Sequence, residues 1–217
     1  MPPLQSLSKT MAALRREAVA PFRDLYDALV RHLTDAAIAD SALKAGETFP
    51  DFALPDPDGR FALSSDLLHR GPLVVNFYRG RWCPYCSATV EAMSAAAPAI
   101  GSAGATVIGV SPELGHLSFS GNHERDLNFP MLCDLDNGLA LQCGLLFRLT
   151  DDVIREYLAD GLDLTKVYGN DSWFLPIPAS YIVEPDGRIR HAFVNPDFRY
   201  RMEPLEILRV VENLRDR

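Results

Sequence analysis

The order of elements around Cys83 and Cys86 constrains the fold of this chain more than any other feature. The near-continuous apolar run Leu73–Tyr78 has the length of a strand and suits a central strand that is buried on both faces. The cysteine pair comes after a short loop, and the helical stretch Ala88–Ala99 comes next. A second apolar run, Ala105–Val110, completes a βαβ unit, and such crossovers join parallel strands. The sequence therefore predicts an α/β fold with the cysteines between a central strand and a helix.

Further strands are expected on both sides of this unit. Two short strands should flank the turn at 56–59, and an edge-like strand should cover Phe129–Asp134. Ala179–Val183 and Ile189–Val194 flank a Pro-Asp-Gly turn, which predicts a β-hairpin. The region Gly161–Asn170 is expected to be an insertion loop.

The N-terminal part of the chain has helical periodicity. Residues 8–43 carry apolar side chains at spacings of three and four, and Pro21 interrupts the pattern, so we expect two helices or one kinked helix. We assign residues 1–45 to an N-terminal helical extension and 46–217 to the main domain. The extension is interpreted either as an arm packed on that domain or as a dimerisation element.

The C-terminal part ends in another amphipathic pattern. It predicts a closing helix over Pro204–Leu214, with Leu205, Leu208 and Val211 on the buried face.

Composition excludes several classes of partner and site. The 217 residues carry a formal net charge of −8, which disfavours nucleic acid and anionic membranes as partners. No apolar run approaches the length of a membrane span, and the first residues lack the pattern of a secretion signal. We therefore expect a cytoplasmic protein. In that reducing compartment a Cys-x-x-Cys pair is more often catalytic or metal-binding than part of a structural disulfide framework.

The cysteine spacing itself indicates redox chemistry. Cys83 is placed at a helix N-terminus, where unpaired N–H groups and the helix dipole favour a thiolate and lower the thiol pKa. Arg79 and Arg81 lie within four residues and would add to this stabilisation. Cys86, about one turn further on, is expected to be less exposed and to attack the first sulfur once that sulfur is oxidised.

Three other interpretations of the pair stay open. A zinc site needs four ligands, and Cys133, Cys143, His116 and His123 do not form a second pair with suitable spacing. The other two interpretations are a pair of buried structural cysteines and a regulatory disulfide without turnover. Cys133 and Cys143 are expected to pack as small apolar groups, with a role as an extra resolving cysteine as the alternative.

Pro178 is a second candidate functional residue. It directly precedes the strand Ala179–Val183, where a proline marks the entry of the strand because it cannot donate to a ladder. We expect a cis Ile177–Pro178 bond, which would make a tight turn and expose a backbone edge. In thioredoxin-like proteins that edge faces the cysteine pair.

Four segments resemble a known family. The stretch 74–86, with its Phe-Tyr-Arg-Gly-Arg-Trp-Cys-Pro-Tyr-Cys sequence, is similar to the active-site segment of the peroxiredoxin-like branch of the alkyl hydroperoxide reductase and thiol-specific antioxidant (AhpC/TSA) family. Segments 45–56, 107–112 and 175–187 resemble the entry strand, the strand after the active-site helix, and the late proline and hairpin of that family. The resemblance implies a thioredoxin-like fold, with a central mixed sheet flanked by helices.

The resemblance also implies a function. It predicts an enzyme that reduces hydrogen peroxide or organic hydroperoxides and is regenerated by a thioredoxin-type or other thiol reductant. Cys83 would attack the peroxide and become a sulfenic acid, and Cys86 would condense with it. A homodimer is among the expected assemblies, and the cysteine pair is expected to work without a metal or other cofactor.

The candidate site residues are named on this basis. Cys83, Cys86 and Arg81 are the candidate catalytic residues. The residues expected to bind substrate are Trp82, Pro84, Tyr85, Ile177 and Pro178.

This chain departs from typical members of that family. Their Pro-x-x-x-Thr/Ser-x-x-Cys motif supplies a hydroxyl, whereas residues 78–82 contain no Thr or Ser, and the usual late Arg is not evident near Pro178. Trp-Cys-x-x-Cys is also the thioredoxin pattern. Three hypotheses therefore stand: a thiol peroxidase, a thiol–disulfide oxidoreductase acting on protein disulfides, and a non-enzymatic redox sensor.

Overall fold

The apolar run at 73–78 forms the centre of the sheet. In the computed structural model, which describes residues 6–19, 22–118 and 127–215, strand β3 spans Leu73–Phe77 and is buried along its whole length. It pairs in parallel with β4 (Thr106–Ser111) and antiparallel with β8 (Ala179–Val183). Strand β5 (Met131–Cys133) lies at one edge and β9 (Ile189–Val194) at the other, and the strand order is β5-β4-β3-β8-β9. The predicted central strand, βαβ unit and edge strand are confirmed.

The remaining elements surround this mixed sheet. Its last strand is β9 (Ile189–Val194), which forms the predicted hairpin with β8. The short strands are β1 (Ala53–Pro55), β2 (Phe61–Leu63), β6 (Leu146–Arg148) and β7 (Phe174–Pro176). The helices are α1 (Leu7–Glu17), α2 (Phe22–Asp35), α3 (Ser64–Leu68), α4 (Pro84–Ser102), α5 (Gly138–Gln142), α6 (Asp151–Ala159), α7 (Leu164–Tyr168) and α8 (Pro204–Arg215).

Strand register places the cysteine loop and Pro178 at the same end of the sheet. Asn76 pairs with Ser180 across β3 and β8, and Ser180 Oγ donates to Asn76 Oδ1 at 2.6 Å. Because the two strands are antiparallel, β8 begins beside the point where β3 ends and the loop to Cys83 starts. No helix in the described ranges is both long and apolar enough to cross a membrane.

The N-terminal extension packs against the rest of the chain. Two separate helices form, as one of the two predicted arrangements requires, and Pro21 between them lies outside the described residues. Helix α1 contacts α4, and α2 contacts α6. The Glu203 carboxylate accepts the backbone N–H groups of Leu7 at 2.9 Å and Ser8 at 2.8 Å, and so joins the first turn of α1 to the start of α8.

Two expectations about the second half of the chain were wrong. Part of the expected insertion loop at 161–170 forms α7, because the Asp163 carboxylate accepts the Thr165 N–H at 3.1 Å and caps the helix. Leu205 does not face the core: its side chain is 47% exposed, and Ile207 and Val211 fill that role. The β6–β7 pair was not predicted.

The contact between Glu203 and α1 leads to a testable stability difference. Glu203→Gln should lower the free energy of unfolding by about 1 kcal/mol at pH 7, because the charged cap of the first turn is lost. Although burial opposes it, hydrogen bonds from Ser8 and Leu7 lower the pKa of Glu203 below 4.5. The stabilisation should therefore be complete above that pH and should vanish as the pH falls through the folded-state pKa.

The free energies of unfolding of the wild type and the variant are measured by urea denaturation at several pH values. Glu206→Gln, on the same helix, is the control and should show no comparable difference. A Glu203→Gln effect that persists at pH 3 would contradict the assignment.

Candidate active site

The cysteine pair lies where β3 delivers the chain to the N-terminus of α4. Cys83 is the N-cap residue, and Pro84 occupies the first turn, where its missing N–H costs no hydrogen bond. The free N–H groups and the dipole of this helix end favour negative charge at the sulfurs. Cys83 and Cys86 are both fully buried, so the expectation that Cys86 would be less exposed than Cys83 is wrong.

Arg79 is the arginine that contacts the first cysteine. Its side chain is buried at 1% exposure, and Nη2 donates to Cys83 Sγ at 2.9 Å. The guanidinium carbon lies 3.7 Å from the ring centre of Phe198 and 5.2 Å from that of Trp82. Nε and Nη1 are buried without a hydrogen-bond partner among the described residues. The Arg79 guanidinium thus lies beside the Cys83 thiol, and two of its donor nitrogens, Nε and Nη1, remain available for hydrogen bonds.

The loop that carries Arg79 is fixed by long-range contacts. The Tyr168 hydroxyl of α7 donates to the Arg79 carbonyl at 2.6 Å and accepts Trp82 Nε1–H at 3.0 Å. Gly80 has φ +144°, and a Cβ there would lie 2.6 Å from Glu113 Oε1 and 2.8 Å from Trp82 Nε1. Only glycine fits this turn, because any side chain would displace the groups that hold the loop.

The two thiols titrate as a pair. Burial raises the pKa of Cys83, and its hydrogen bond with Cys86 and the charge of Cys86 raise it further. Burial acts to raise the pKa of Cys86. This effect is outweighed by the hydrogen bond from Cys83 and the charges of Arg201 and Arg79, so the pKa of Cys86 lies well below its usual value. The two shifts have opposite directions because each thiol acts on the other, so the pair titrates as a unit.

One late arginine, Arg201, lies near this pair, although none was evident from the sequence near Pro178. Arg201 Nη2 is 3.8 Å from Cys86 Sγ. Arg199 instead makes ion pairs with Asp27 at 2.5 Å and Asp197 at 2.7 Å, which tie α2 to the segment before α8. Arg201 is thus the second cation available to the sulfurs.

Glu113 is a buried carboxyl group beside the loop. It accepts the Arg81 backbone N–H at 2.8 Å through Oε1 and the Ser111 hydroxyl at 3.2 Å through Oε2. Burial raises its pKa to about 8, and the charge of Cys86 contributes to that rise. Glu113 is therefore largely protonated at neutral pH and can exchange a proton in the range where the enzyme would work.

The other predicted site residues are distributed around the pair. Arg81 is half-buried, and its charge acts on the carboxyl of Glu113. Pro84 is exposed, and Tyr85 is buried against Phe198 with ring centres 5.7 Å apart. Ile177 and Pro178 are buried at the same end of the sheet, and Ile177 N–H donates to the Leu145 carbonyl at 2.7 Å. The cis geometry of the Ile177–Pro178 bond stays a prediction.

Cys133 and Cys143 are buried free thiols, as their predicted apolar packing requires. Burial raises the pKa of Cys133 to about 11 and that of Cys143 to about 12. Across the described ranges, no three His, Cys, Asp or Glu side chains are grouped as metal ligands. His123 lies outside those ranges. The zinc interpretation receives no support from the described residues.

Several residues that complete the site were not predicted. Tyr157, Tyr168, Phe198 and Arg201 all come from segments far from the cysteine loop in sequence. The Tyr168–Trp82 and Arg201–Cys86 contacts, for example, join residues 86 and 115 positions apart. Local patterns carry no signal for such contacts, because they join residues that only the folded chain brings together.

A comparison with family models identifies the group to which this sequence is related. The model described as the AhpC/TSA family matches residues 45–192, which is more than half of the chain. The chain belongs to the AhpC/TSA family. The family resemblance inferred from the motifs is thus confirmed, although the Cys-Pro-Tyr-Cys motif itself is not tested by this match.

Individual relatives agree with this assignment. A Helicobacter pylori protein (strain J99) named as a bcp peroxiredoxin is 33% identical over 98 residues, which are 45% of this chain and 64% of that protein. A Mycobacterium tuberculosis protein (strain H37Rv) also named as a peroxiredoxin is 29% identical over 103 residues, 48% of this chain and 67% of that protein. The Helicobacter match thus spans just under two thirds of that relative's length.

Solved structures of family members share the fold. Peroxidoxin BcpB from Mycobacterium tuberculosis superposes with a TM-score of 0.61 at 20% identity, covering 79% of this chain and 98% of that one. Mycobacterium tuberculosis AhpC gives a TM-score of 0.58 at 19% identity, covering 80% and 93%. The predicted thioredoxin-like α/β fold, with a mixed sheet flanked by helices, is confirmed.

The raised pKa of Glu113 predicts how stability depends on pH. Between the unfolded value near 4.5 and the folded value near 8, the folded state holds a proton that the unfolded state has lost. The contribution of Glu113 to stability should therefore fall as the pH rises through this range, by at most about 1.4 kcal/mol per pH unit.

Glu113→Gln should remove this dependence. The measurement is the free energy of unfolding from pH 4.5 to pH 8 for both proteins, with Glu91→Gln on α4 as the control substitution. A wild-type minus Glu113→Gln difference that is flat over that range would show that the buried carboxyl does not hold a proton.

Proposed function

We propose that this protein is a thiol-dependent peroxidase that reduces peroxides at the Cys83–Cys86 pair. One observation supports this most strongly: Nη2 of the buried Arg79 donates to Cys83 Sγ at 2.9 Å, while Nε and Nη1 have no partner among the described residues. Buried donors without acceptors are costly, so a site with two of them is suited to a ligand that brings oxygen atoms. A peroxide has two adjacent oxygens that can accept hydrogen bonds from such donors.

The first chemical step begins at Cys83. The thiolate attacks the terminal oxygen of the peroxide, the O–O bond breaks, and the S–O bond forms. The departing oxygen takes a proton and leaves as water or an alcohol, and Cys83 becomes a sulfenic acid. Arg79 is placed to stabilise both the thiolate and the negative charge that develops on the departing oxygen.

The second step closes a disulfide. The Cys86 sulfur attacks the Cys83 sulfur, the S–O bond breaks, and the hydroxide leaves with a proton as water. Arg201, at 3.8 Å from Cys86 Sγ, would hold Cys86 in its reactive thiolate form. A thioredoxin-type or other thiol reductant then returns the pair to two thiols by exchange, supplying the two electrons that the peroxide took. This makes Arg79 and Arg201, rather than Arg81 alone, the candidate catalytic arginines.

The two arginines of the loop provide a direct test. Arg79→Met should slow oxidation by hydrogen peroxide about 100-fold, because a preorganised charge beside the reacting atoms is removed. Arg81→Met is the matched control on the same loop and should slow it far less. Stopped-flow loss of thiols measures both rates. A loss in Arg81→Met as large as that in Arg79→Met would contradict the special role of Arg79, and a larger loss would favour the sequence-based assignment to Arg81. Cys83→Ser should be unreactive if Cys83 is the attacking sulfur.

The second candidate function is a thiol–disulfide oxidoreductase that acts on protein disulfides. It is supported by the Trp-Cys-x-x-Cys sequence and by Pro178 at the same end of the sheet. However, neither sulfur is exposed, and a protein disulfide must bring its own backbone to the thiol. The peroxidase therefore fits the buried pair better.

Side-by-side assays separate the two functions. With the same dithiol donor, we expect rapid peroxide turnover and slow reduction of insulin disulfides. Fast insulin reduction together with negligible peroxide consumption would reverse the assignment.

A further inference from the structure

The cysteine loop lacks the hydroxyl that typical members of the family place before their first cysteine. Residues 78–82 contain no Ser or Thr. Ser87 and Thr89 follow the pair on α4, and Tyr168 contacts the loop from α7, but each of these hydroxyls already donates to a backbone carbonyl, at 3.1, 2.7 and 2.6 Å. A hydroxyl proton that is free to meet a peroxide at Cys83 must therefore come from another part of the chain.

Two tyrosines complete a closed set of contacts that begins at Arg79. The guanidinium carbon of Arg79 lies 5.2 Å from the ring centre of Trp82 and 3.7 Å from that of Phe198. The Trp82 ring packs against Tyr157 with centres 5.5 Å apart, and the Phe198 ring packs against Tyr26 with centres 5.3 Å apart. The two tyrosine rings lie 6.4 Å from each other. Each tyrosine is thus one ring away from the active-site cation.

The two tyrosine hydroxyls are joined by a hydrogen bond that leaves one proton free. Tyr157 donates to the Tyr26 oxygen at 3.4 Å, and Tyr26 itself donates to no described residue. Burial raises the pKa of both tyrosines, the charge of Arg79 opposes that rise, and the charge of Cys83 adds to it. Tyr26 is therefore a protonated donor within electrostatic range of both the attacking sulfur and the cation beside it.

Tyr78 is another hydroxyl near the cysteine pair, but it lies at the second sulfur. Burial raises the pKa of Tyr78, and the charges that act on it are those of Cys86 and Arg201. Tyr26 differs also in its origin, because it belongs to α2 of the N-terminal extension, whereas the family model begins at residue 45. A donor from this helix is thus a property of this chain and not of the shared domain.

We propose that Tyr26 is a further catalytic residue, whose O–H donates a hydrogen bond to the departing oxygen of the peroxide and then supplies its proton. This rests on the proposed peroxidase function. The Cys83 sulfur attacks the terminal oxygen and the O–O bond breaks. The departing hydroxide or alkoxide is a stronger base than a phenolate, so it takes the Tyr26 proton and leaves as water or an alcohol. The phenolate, stabilised by Arg79, recovers a proton from solvent through the cavity of about 360 Å³ that the Tyr26 ring lines.

Phenylalanine variants test the donor, because they remove one hydroxyl and keep the ring. Tyr26→Phe should slow oxidation of Cys83 by hydrogen peroxide about tenfold or more. Alkylation of the same sulfur by iodoacetamide releases iodide, which needs no proton, so its rate should be unchanged. Tyr157→Phe removes only the bond donated to Tyr26 and should slow oxidation less. Stopped-flow kinetics measures the oxidation, and mass spectrometry follows the alkylation at Cys83.

Tyr181→Phe is the matched control. Tyr181 is a buried tyrosine whose hydroxyl has no hydrogen-bond partner among the described residues, and its ring packs against Phe49 and Phe77. Both rates should keep their wild-type values in this variant, because no hydroxyl near Arg79 is removed.

The outcomes separate this inference from the function on which it rests. A wild type that does not react with peroxide contradicts the peroxidase function itself. A wild-type oxidation rate in Tyr26→Phe overturns the role of Tyr26 alone. Equal slowing of oxidation and alkylation also overturns it, because the hydroxyl would then only maintain the fold around the sulfur. A larger loss in Tyr157→Phe than in Tyr26→Phe would contradict the choice of Tyr26 as the donor.

Discussion

The site depends on the contact between the buried guanidinium of Arg79 and the cysteine pair. A charge at 1% exposure is stable only if an opposite charge and well-placed dipoles compensate its desolvation. Arg79 Nη2 donates to Cys83 Sγ at 2.9 Å, and the rings of Trp82 and Phe198 lie beside the guanidinium. Although burial lowers the pKa of Arg79, the charge of Cys83 and its neighbours raises it by more, so the cation persists. The Arg79 cation would in turn stabilise a thiolate at Cys83, because its charge lowers the pKa of that thiol.

That contact requires a loop whose backbone is held on both sides. Tyr168 fixes the Arg79 carbonyl, Glu113 fixes the Arg81 N–H, and Gly80 between them permits the close approach of both. Helix α7 and the segment after β4 are thus parts of the site, although neither carries reacting atoms. The N-terminal extension also packs against the site, since the ring centre of Tyr26 lies 5.3 Å from that of Phe198.

Local sequence patterns predicted most of the central sheet, whereas contacts between distant segments could not be predicted. Continuous apolar runs identified β3 and β4, a Pro-Asp-Gly turn identified the β8–β9 hairpin, and helix propensity after the cysteines identified α4. The same reasoning selected Cys83 and Cys86 as candidates, and the structure places both at the N-terminal end of α4. Sequence analysis assigned the residues of α7 to a loop, because a helix of five residues that is capped by one aspartate shows little hydrophobic periodicity. It named Arg81 as the candidate catalytic arginine, whereas Arg79 is the one that contacts Cys83, because the directions of side chains in a turn are fixed only by the folded loop.

The most direct test of the central claim is the product of a single oxidation. Reduced protein would be treated with one equivalent of hydrogen peroxide, and the cysteine-containing peptides analysed by mass spectrometry without reduction. The proposed cycle predicts the loss of two hydrogens and a disulfide that joins Cys83 to Cys86, with Cys133 and Cys143 still free. A stable oxidised Cys83 without that disulfide, or a disulfide that includes Cys133 or Cys143, would contradict it.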